Sequence, residues 1–368
     1  MVIEEFRHAF ERRHDLCISM KREGKGIIGC FYGAVPKEVI HAAGLIPIQL
    51  LEDRTERFEE HSGLLPFLCG MSKNVTGQIY LGKYSYLDGI VVGTVCDTNR
   101  HVFDIWVYRK VAPFLRLLRT PAKAGKEALE FYAKDLRKLA SELGRISGVE
   151  ANGERLRQSV ELFNENRALI EEFQGKRESL GINAQEGIFV VASSLILPVE
   201  KHSQLMKALL SEMRPTQPSE EDKPRVYISA LNFNMALDLV SLVETYGGKV
   251  AGFDLHQSAR YASEPIPLDD EDPFLCVAKG YIRRVPIPGV YDFEKRAEAL
   301  KTEMERTKAR GIIFLSQLYC DAYAMEHAIL MEKMSRSGIP YLKLEAEDSP
   351  GSLEQLNVRV QSFIESLS

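Results

Sequence analysis

Several motifs that would mark a common activity are missing from this sequence of 368 residues. There is no GxxxxGKS/T phosphate-binding loop, no HExxH pair of histidines and no CxxC motif. These absences exclude a P-loop nucleotide site, a zinc ribbon and a ferredoxin-type cluster held by closely spaced cysteines. Any metal site that several cysteines share must be assembled by the fold from distant segments.

The sequence also has no apolar run long enough to cross a bilayer and no excess of positive charge. Its longest apolar stretch, Gly187–Val199, has 13 residues, whereas a transmembrane helix needs about 20. The N-terminus is charged and amphipathic, unlike a secretory signal peptide. The formal net charge of -5 gives no indication of nucleic acid or an anionic membrane as a partner. We therefore expect a cytoplasmic protein that binds neither.

Apolar strand patterns alternate with helical patterns at the N-terminal end of the chain. Residues 4–22 have the spacing of a helix, and strands are predicted within 26–31, 45–51 and 86–95, with helices between them. This order favours a parallel sheet. We assign residues 1–119 to an N-terminal α/β domain.

The middle and the C-terminal end of the chain have different patterns. Residues 120–214 have helical stripes of apolar residues and one ambiguous stretch at 188–192, so we interpret them as a helical segment. Three prolines among charged residues at 214–224 indicate a linker. Strands and helices alternate again across 215–368. The expected fold class is α/β, with two doubly wound, flavodoxin- or Rossmann-like parallel-sheet domains and a helical segment between them.

Six cysteines are the main candidates for chemistry. They are Cys17, Cys30, Cys69, Cys96, Cys276 and Cys320. In a large chain with no secretory signal, metal binding or catalysis is more common than a disulfide framework. Any one of them alone could be a small buried hydrophobic side chain.

Two Cys-Asp pairs occupy the same predicted position in the two α/β domains. Cys96-Asp97 and Cys320-Asp321 each follow an apolar strand and open a helix. Ligands bind at this edge of open α/β sheets, and a helix N-terminus favours a thiolate and an anionic iron–sulfur cluster. We expect the aspartates to accept hydrogen bonds from first-turn N–H groups. Cys69 also ends an apolar run.

A few residues near these cysteines are candidates for lining a substrate pocket. They are Tyr32, Asn99 and Arg100. The nearby His101 is more typical of a helix surface than of a catalytic site.

Several stretches resemble the 2-hydroxyacyl-CoA dehydratase and benzoyl-CoA reductase family. They are GIIGCFYGAVPKEVIHAAGLIPIQL, LPFLCG, VVGTVCDTNR, FLSQLYCDAY and the ending GIPYLKLEAEDSPGSLEQLNVRVQSFIESL. The resemblance implies a two-domain subunit with a four-iron–four-sulfur cluster, held by three cysteines that fall on Cys69, Cys96 and Cys320. It also implies a separate ATP-hydrolysing iron–sulfur activator that delivers low-potential electrons, in agreement with the missing P-loop.

Three further cysteines make the chain similar to one branch of this family, the double-cubane cluster proteins. In that branch, two four-iron cubanes share a bridging sulfide, so that each cubane has three irons in need of thiolates. Two cubanes need six thiolates, which is the number of cysteines here. The resemblance thus implies Cys17, Cys30 and Cys276 as additional ligands, although Cys17 lies on the apolar face of a predicted helix and could serve packing alone.

The function that this resemblance favours is an ATP-dependent, low-potential reductase component that acts as a homodimer. It would receive electrons from the activator and reduce a small substrate at a double-cubane cluster. One alternative is a dehydratase or aryl-CoA reductase subunit with a single cubane, an acyl-CoA substrate and a different partner subunit. Another is a non-catalytic electron carrier or cluster scaffold.

Overall fold

The protein is described by a computed structural model, which covers most of the chain. The described residues are 2–32, 34–212, 223–255, 264–285, 292–348 and 354–368. The predicted linker at 214–224 lies almost entirely outside them, with only its last two residues described.

The N-terminal part of the chain forms a four-stranded parallel sheet. Its strands are β1 (Ile27–Phe31), β2 (Ile46–Gln49), β3 (Gly89–Gly93) and β4 (Leu115–Leu118), in the spatial order β2-β1-β3-β4. β1 and β3 are buried along their whole length, which accounts for their continuous apolar sequences. The sequence does not predict β4, because this short edge strand includes Arg116, which pairs with Asp135 and Glu142.

Five helices accompany this sheet. They are α1 (Val2–Glu11), α2 (Arg13–Arg22), α3 (Lys37–Ala42), α4 (Gly70–Tyr80) and α5 (Asp97–Arg109), with a 3-10 turn at Phe58–His61. The single helix predicted over 4–22 is therefore two helices that meet at Arg12.

The middle of the chain is helical, as predicted. Its helices are α6 (Lys126–Ser147), α7 (Gly153–Lys176), α8 (Ala184–Ser193) and α9 (Val199–Glu212). The ambiguous stretch 188–192 belongs to α8, which begins with a capping box between Asn183 and Glu186. Its apolar residues are buried on every side of the helix, so that the sequence shows no helical stripe.

The C-terminal part forms a second four-stranded parallel sheet. Its strands are β5 (Arg225–Ala230), β6 (Lys249–Leu255), β7 (Gly311–Gln317) and β8 (Tyr341–Ala346), in the order β6-β5-β7-β8. Its helices are α10 (Phe233–Thr245), α11 (Pro273–Arg283), α12 (Phe293–Thr307), α13 (Asp321–Arg336) and α14 (Asn357–Ser366). The predicted class, α/β with two parallel-sheet domains, is confirmed.

One large hydrophobic core runs through all three parts of the chain. It includes Val91 of β3, Phe173 of α7 and Ile313 of β7. In this core α7 packs against α3 and α9, and α6 packs against α11. The domain boundaries at 119 and 214 stay a prediction. Among the described residues, no helix combines the length and the apolar character needed to span a membrane.

Candidate functional site

A cavity of about 260 Å3 is lined by residues that follow the central strands of both sheets. Tyr32 follows β1, Cys96 comes shortly after β3, Leu231 follows β5 and Cys320 comes shortly after β7. In each sheet the chain order reverses between these two central strands. The cavity therefore lies at the topological switch points of both sheets, where ligands bind in open α/β folds.

Three cysteines in this cavity each stand immediately before a helix. Cys69, Cys96 and Cys320 are the N-cap residues of α4, α5 and α13, and all three line the cavity. Cys69 is buried, while the other two are partly exposed. Because each helix begins at the cavity, the positive ends of three helix dipoles meet there.

Short polar contacts hold two of the cysteine side chains. The hydroxyl of Tyr32 lies 3.6 Å from Cys69 Sγ, and the Cys69 thiol donates to Ser72 Oγ at 3.3 Å. The Cys96 thiol donates to Asn99 Oδ1 at 3.4 Å. The Asn99 amide in turn donates to the carbonyl that ends β3, which fixes this first turn to the strand.

Burial keeps the thiols of Cys96 and Cys320 protonated in the absence of a cation. It raises the pKa of Cys96 to about 11 and the pKa of Cys320 well above its usual range. First-turn N–H groups act in the opposite direction on both pKa values, those of Asn99 and Thr98 on Cys96 and that of Tyr323 on Cys320. A bound metal would lower both pKa values much further than the N–H groups do, since coordination deprotonates thiols.

Two tyrosines of the cavity wall have a left-handed backbone. The φ angle is 69° at Tyr32 and 63° at Tyr319. Among the described non-glycine residues only Lys110 and Lys308 share this region, and both cap helix C-termini. Such a conformation costs about 1–3 kcal/mol and persists where the surroundings impose it. The sequence pattern indicates Tyr32 but not Tyr319, for which the only signal is its position before Cys320.

The other three predicted ligands do not line this cavity. Cys17 lies inside α2, where its thiol contacts the Tyr86 hydroxyl. Cys30 lies inside β1 in the hydrophobic core. Cys276 lies inside α11, with its thiol 3.6 Å from the Asp270 carbonyl oxygen. Burial raises the pKa of Cys17 to about 11 and that of Cys30 to about 12. The structure thus brings together three of the six cysteines.

The aspartates that follow two of the cysteines do not cap the helices. The Asp97 carboxylate is 87% exposed and lies 3.6 Å from the Arg100 guanidinium. Asp321 is also exposed, and in the described part of the chain neither side chain accepts a backbone hydrogen bond. The expected capping contact is therefore wrong, because the cysteine itself occupies the N-cap position. His101, like Arg100, is exposed on α5.

The cysteine arrangement does not match a site for a single metal ion. Within the described ranges, no group of three or more His, Cys, Asp or Glu side chains could hold one ion. Three thiols around one cavity fit a larger inorganic cluster, in which each thiolate binds a different metal atom.

Proteins of known activity resemble this chain over most of its length. The C subunit of benzoyl-CoA reductase from Thauera aromatica is 22% identical over 90% of this chain and 88% of its own length. The beta subunit of lactoyl-CoA dehydratase from Anaerotignum propionicum is 24% identical, over 94% and 92%. The beta subunit of (R)-2-hydroxyglutaryl-CoA dehydratase from Acidaminococcus fermentans is 21% identical, over 100% and 99%.

The family model described as 2-hydroxyglutaryl-CoA dehydratase, D-component, matches residues 32–367. The matched range includes Cys69, Cys96, Cys276 and Cys320, whereas Cys17 and Cys30 precede it. This match confirms the resemblance inferred from the sequence. The chain belongs to the 2-hydroxyglutaryl-CoA dehydratase D-component family.

Proposed function

We propose that this chain is the cluster-binding subunit of a dehydratase or reductase that acts on a CoA thioester. The observation that carries the proposal is the meeting of Cys69, Cys96 and Cys320 at one cavity at the switch points of both sheets. The substrate class comes from the relatives, which are named for benzoyl-CoA, lactoyl-CoA and 2-hydroxyglutaryl-CoA.

The three cavity cysteines would hold one four-iron–four-sulfur cluster, with a thiolate on each of three irons. None of the other cysteines lines the cavity, so the fourth iron would be open to the substrate. When bound, such a cluster stores and transfers single electrons. The three helix N-termini would stabilise its negative charge. The Tyr32 hydroxyl would donate a hydrogen bond towards Cys69 Sγ, and hydrogen bonds to cluster sulfurs tune the reduction potential.

The double-cubane cluster inferred from the cysteine count needs six thiolates close to one another. Cys17, Cys30 and Cys276 lie inside regular secondary structure and do not line the cavity. The geometry therefore favours a single cubane. The double-cubane cluster, with these three residues as ligands, stays a prediction. Measuring the iron content of the protein tests it.

Two kinds of partner are expected. The relatives are named as beta or C subunits, which supports a different second subunit rather than the homodimer predicted from the sequence. The second partner is the ATP-hydrolysing, electron-delivering activator that the family resemblance implies, and the missing P-loop motif agrees with this. A cytoplasmic location stays a prediction.

The proposal is tested by anaerobic mixing of this protein with the ATP-hydrolysing activator of a related dehydratase. We expect a change in the cluster's electron paramagnetic resonance signal only while ATP is consumed, and conversion of a CoA thioester once a partner subunit is added. ATP hydrolysis by this chain alone would contradict the division of labour. Reduction without conversion of any thioester would indicate an electron carrier. The matched control is Cys96→Ser.

A further inference from the structure

A buried polar cluster joins the N-terminal and C-terminal domains near the cysteine cavity. Glu52, which follows β2, is only 3% exposed. Its Oε1 accepts hydrogen bonds from Asn232 Nδ2 and from Gln317 Nε2, each at 3.0 Å. Asn232 follows β5 and Gln317 ends β7. One oxygen of the N-terminal domain thus binds the ends of both central strands of the other sheet.

Gln317 extends this connection to the helix that begins at Cys69. Its Oε1 accepts a hydrogen bond at 3.0 Å from the N–H group of Met71, two residues after Cys69. Gln317 itself lies three residues before Cys320. Gly70 leaves room for the amide, because a Cβ at this position would lie 2.6 Å from Gln317 Nε2. The amide orientation is fixed by Glu52, which requires a donor, and by Met71, which requires an acceptor.

The same cluster contains more acidic than basic side chains. Asp348 accepts hydrogen bonds from Arg54 Nε at 2.5 Å and from Asn232 Nδ2 at 3.1 Å. Arg54 Nη1 binds Asp238 at 2.6 Å. This guanidinium is thus shared by Asp348 and Asp238. In the described part of the chain, no cation forms an ion pair with the carboxyl group of Glu52.

The geometry at Glu52 is that of a neutral carboxylic acid. Its Oε2 is buried and has no hydrogen-bond partner among the described residues. A bare, buried oxygen costs far more free energy on a carboxylate than on a neutral group. Burial and the nearby Asp348 raise the pKa of Glu52 well above its usual range, and burial raises the pKa of Asp348 as well. Arg54 lowers the pKa of both carboxyl groups, but it binds Asp348 directly, so the geometry favours the charge on Asp348 and the proton on Glu52.

The other charged and titratable groups around this pair have partners of their own. They are Arg13, which lies 3.3 Å from Asp53 and donates to the Glu52 backbone carbonyl, His14, which contacts Asp53 at 3.8 Å, and Glu59, which accepts from Asn74. Burial lowers the pKa of His14 to about 4, so His14 is neutral at neutral pH. None of these groups forms an ion pair with the Glu52 carboxyl group.

We propose that Glu52 is a positioning residue that works in its protonated form and, through Gln317, fixes the helix that begins at Cys69 against the strand that leads to Cys320. Its ionisation places a second negative charge beside Asp348 and weakens the contact between the two domains at the cavity. The inference concerns contacts within this chain, so it holds whether or not the proposed function is correct.

The first test compares the free energy of unfolding of the wild type and Glu52→Gln in urea, from about pH 5 to about pH 9. Glutamine keeps the size and the accepting oxygen of a protonated glutamate but cannot ionise. A carboxyl group whose folded pKa is raised stabilises the fold at low pH, and this stabilisation is lost as the pH rises through the folded pKa. As the pH rises, the free energy of unfolding of the wild type should therefore fall relative to that of Glu52→Gln. The ratio of the two unfolding equilibrium constants should change by up to about tenfold per pH unit.

The control for this test is Glu60→Gln, which alters an exposed glutamate of the nearby 3-10 turn. Its stability should follow the wild type at every pH. If Glu52 were already ionised in the folded protein at about pH 5, neither state would bind a proton at this site over the range, and the curves of wild type and Glu52→Gln would be parallel. Parallel curves would overturn the inference.

Two further measurements separate a positioning role from a general loss of stability. The infrared difference spectrum of wild type minus Glu52→Gln at neutral pH should contain the carbonyl band of a protonated carboxylic acid, and its absence would overturn the inference.

Glu52→Asp shortens the side chain, so we expect it to alter the electron paramagnetic resonance signal of the loaded protein, while Glu52→Gln preserves it. An unaltered signal in Glu52→Asp would contradict the positioning role. Failure of the proposed function leaves the urea and infrared results unaffected.

Discussion

At the scale of single residues, the six cysteines fall into two groups by their place in the secondary structure. Cys69, Cys96 and Cys320 immediately precede helices, and N–H groups of the first turn contact the thiols of Cys96 and Cys320. The other three lie inside helices or a strand and contribute to buried packing. We therefore expect ligand behaviour from the first group and packing behaviour from the second.

Cys96→Ser and Cys30→Ser form a matched pair that tests this division. Cys96→Ser should sharply lower the iron content and the melting temperature, because the iron loses its thiolate and the cluster becomes labile. Cys30→Ser should keep the iron content and cost about 1–3 kcal/mol of stability for a buried hydroxyl. Iron, sulfide and melting temperature are measured on anaerobically purified protein. Full iron in Cys96→Ser, or clear iron loss in Cys30→Ser, would contradict the division.

At the scale of elements, the helix that begins at Cys69 depends on a close backbone approach. Gly77 of α4 packs against the 3-10 turn at Phe58–His61, and a Cβ at Gly77 would lie 1.8 Å from the Phe58 carbonyl oxygen. Such a contact cannot be relieved by a side-chain rotation. The glycine therefore sets the position of α4.

Gly77→Ala should destabilise the protein by about 1–3 kcal/mol, since the overlap outweighs the better helix propensity of alanine. Gly175→Ala is the control, because Gly175 also lies in a helix, α7, and nothing lies within 4 Å of a Cβ there. That change should stabilise the fold by about 0.5–1 kcal/mol. Urea unfolding measures both values, and equal effects of the two changes would refute the packing argument.

The elements also show what the sequence can and cannot predict. Buried strands such as β1 and β3 are recognisable as continuous apolar runs, and the turn from β3 into α5 placed Cys96 at a ligand-binding edge. The edge strand β4 and the break at Arg12 lack such a signal. The contact between Glu52 and Gln317 joins residues 265 positions apart. It depends on how the two domains dock, which no local pattern encodes.

At the scale of the whole molecule, a buried ionic contact ties the three parts of the chain together. Glu38 of α3 accepts hydrogen bonds from Arg167 of α7 and, at 2.8 Å, from the Tyr281 hydroxyl of α11. The side chains of Glu38 and Arg167 are almost completely buried. Their contact joins the N-terminal domain, the helical segment and the C-terminal domain at one point.

Glu38→Ala should therefore destabilise the whole fold by about 3–5 kcal/mol, because it removes the carboxylate that pairs with a buried guanidinium. Glu172→Ala is the control, since Glu172 pairs with Lys176 on the exposed face of α7. Its effect should stay within about 0.5 kcal/mol. A thermal or urea unfolding curve followed by circular dichroism gives both values. A Glu38→Ala protein as stable as the control would show that this contact is dispensable.

The proposed function depends above all on the binding of one iron–sulfur cubane by Cys69, Cys96 and Cys320. The most direct test is the number of irons and acid-labile sulfides per chain after anaerobic purification and reconstitution. We expect about four of each per chain. A protein that binds no iron under these conditions would contradict the cluster site itself. About eight irons per chain would contradict the single cubane and support the double-cubane cluster.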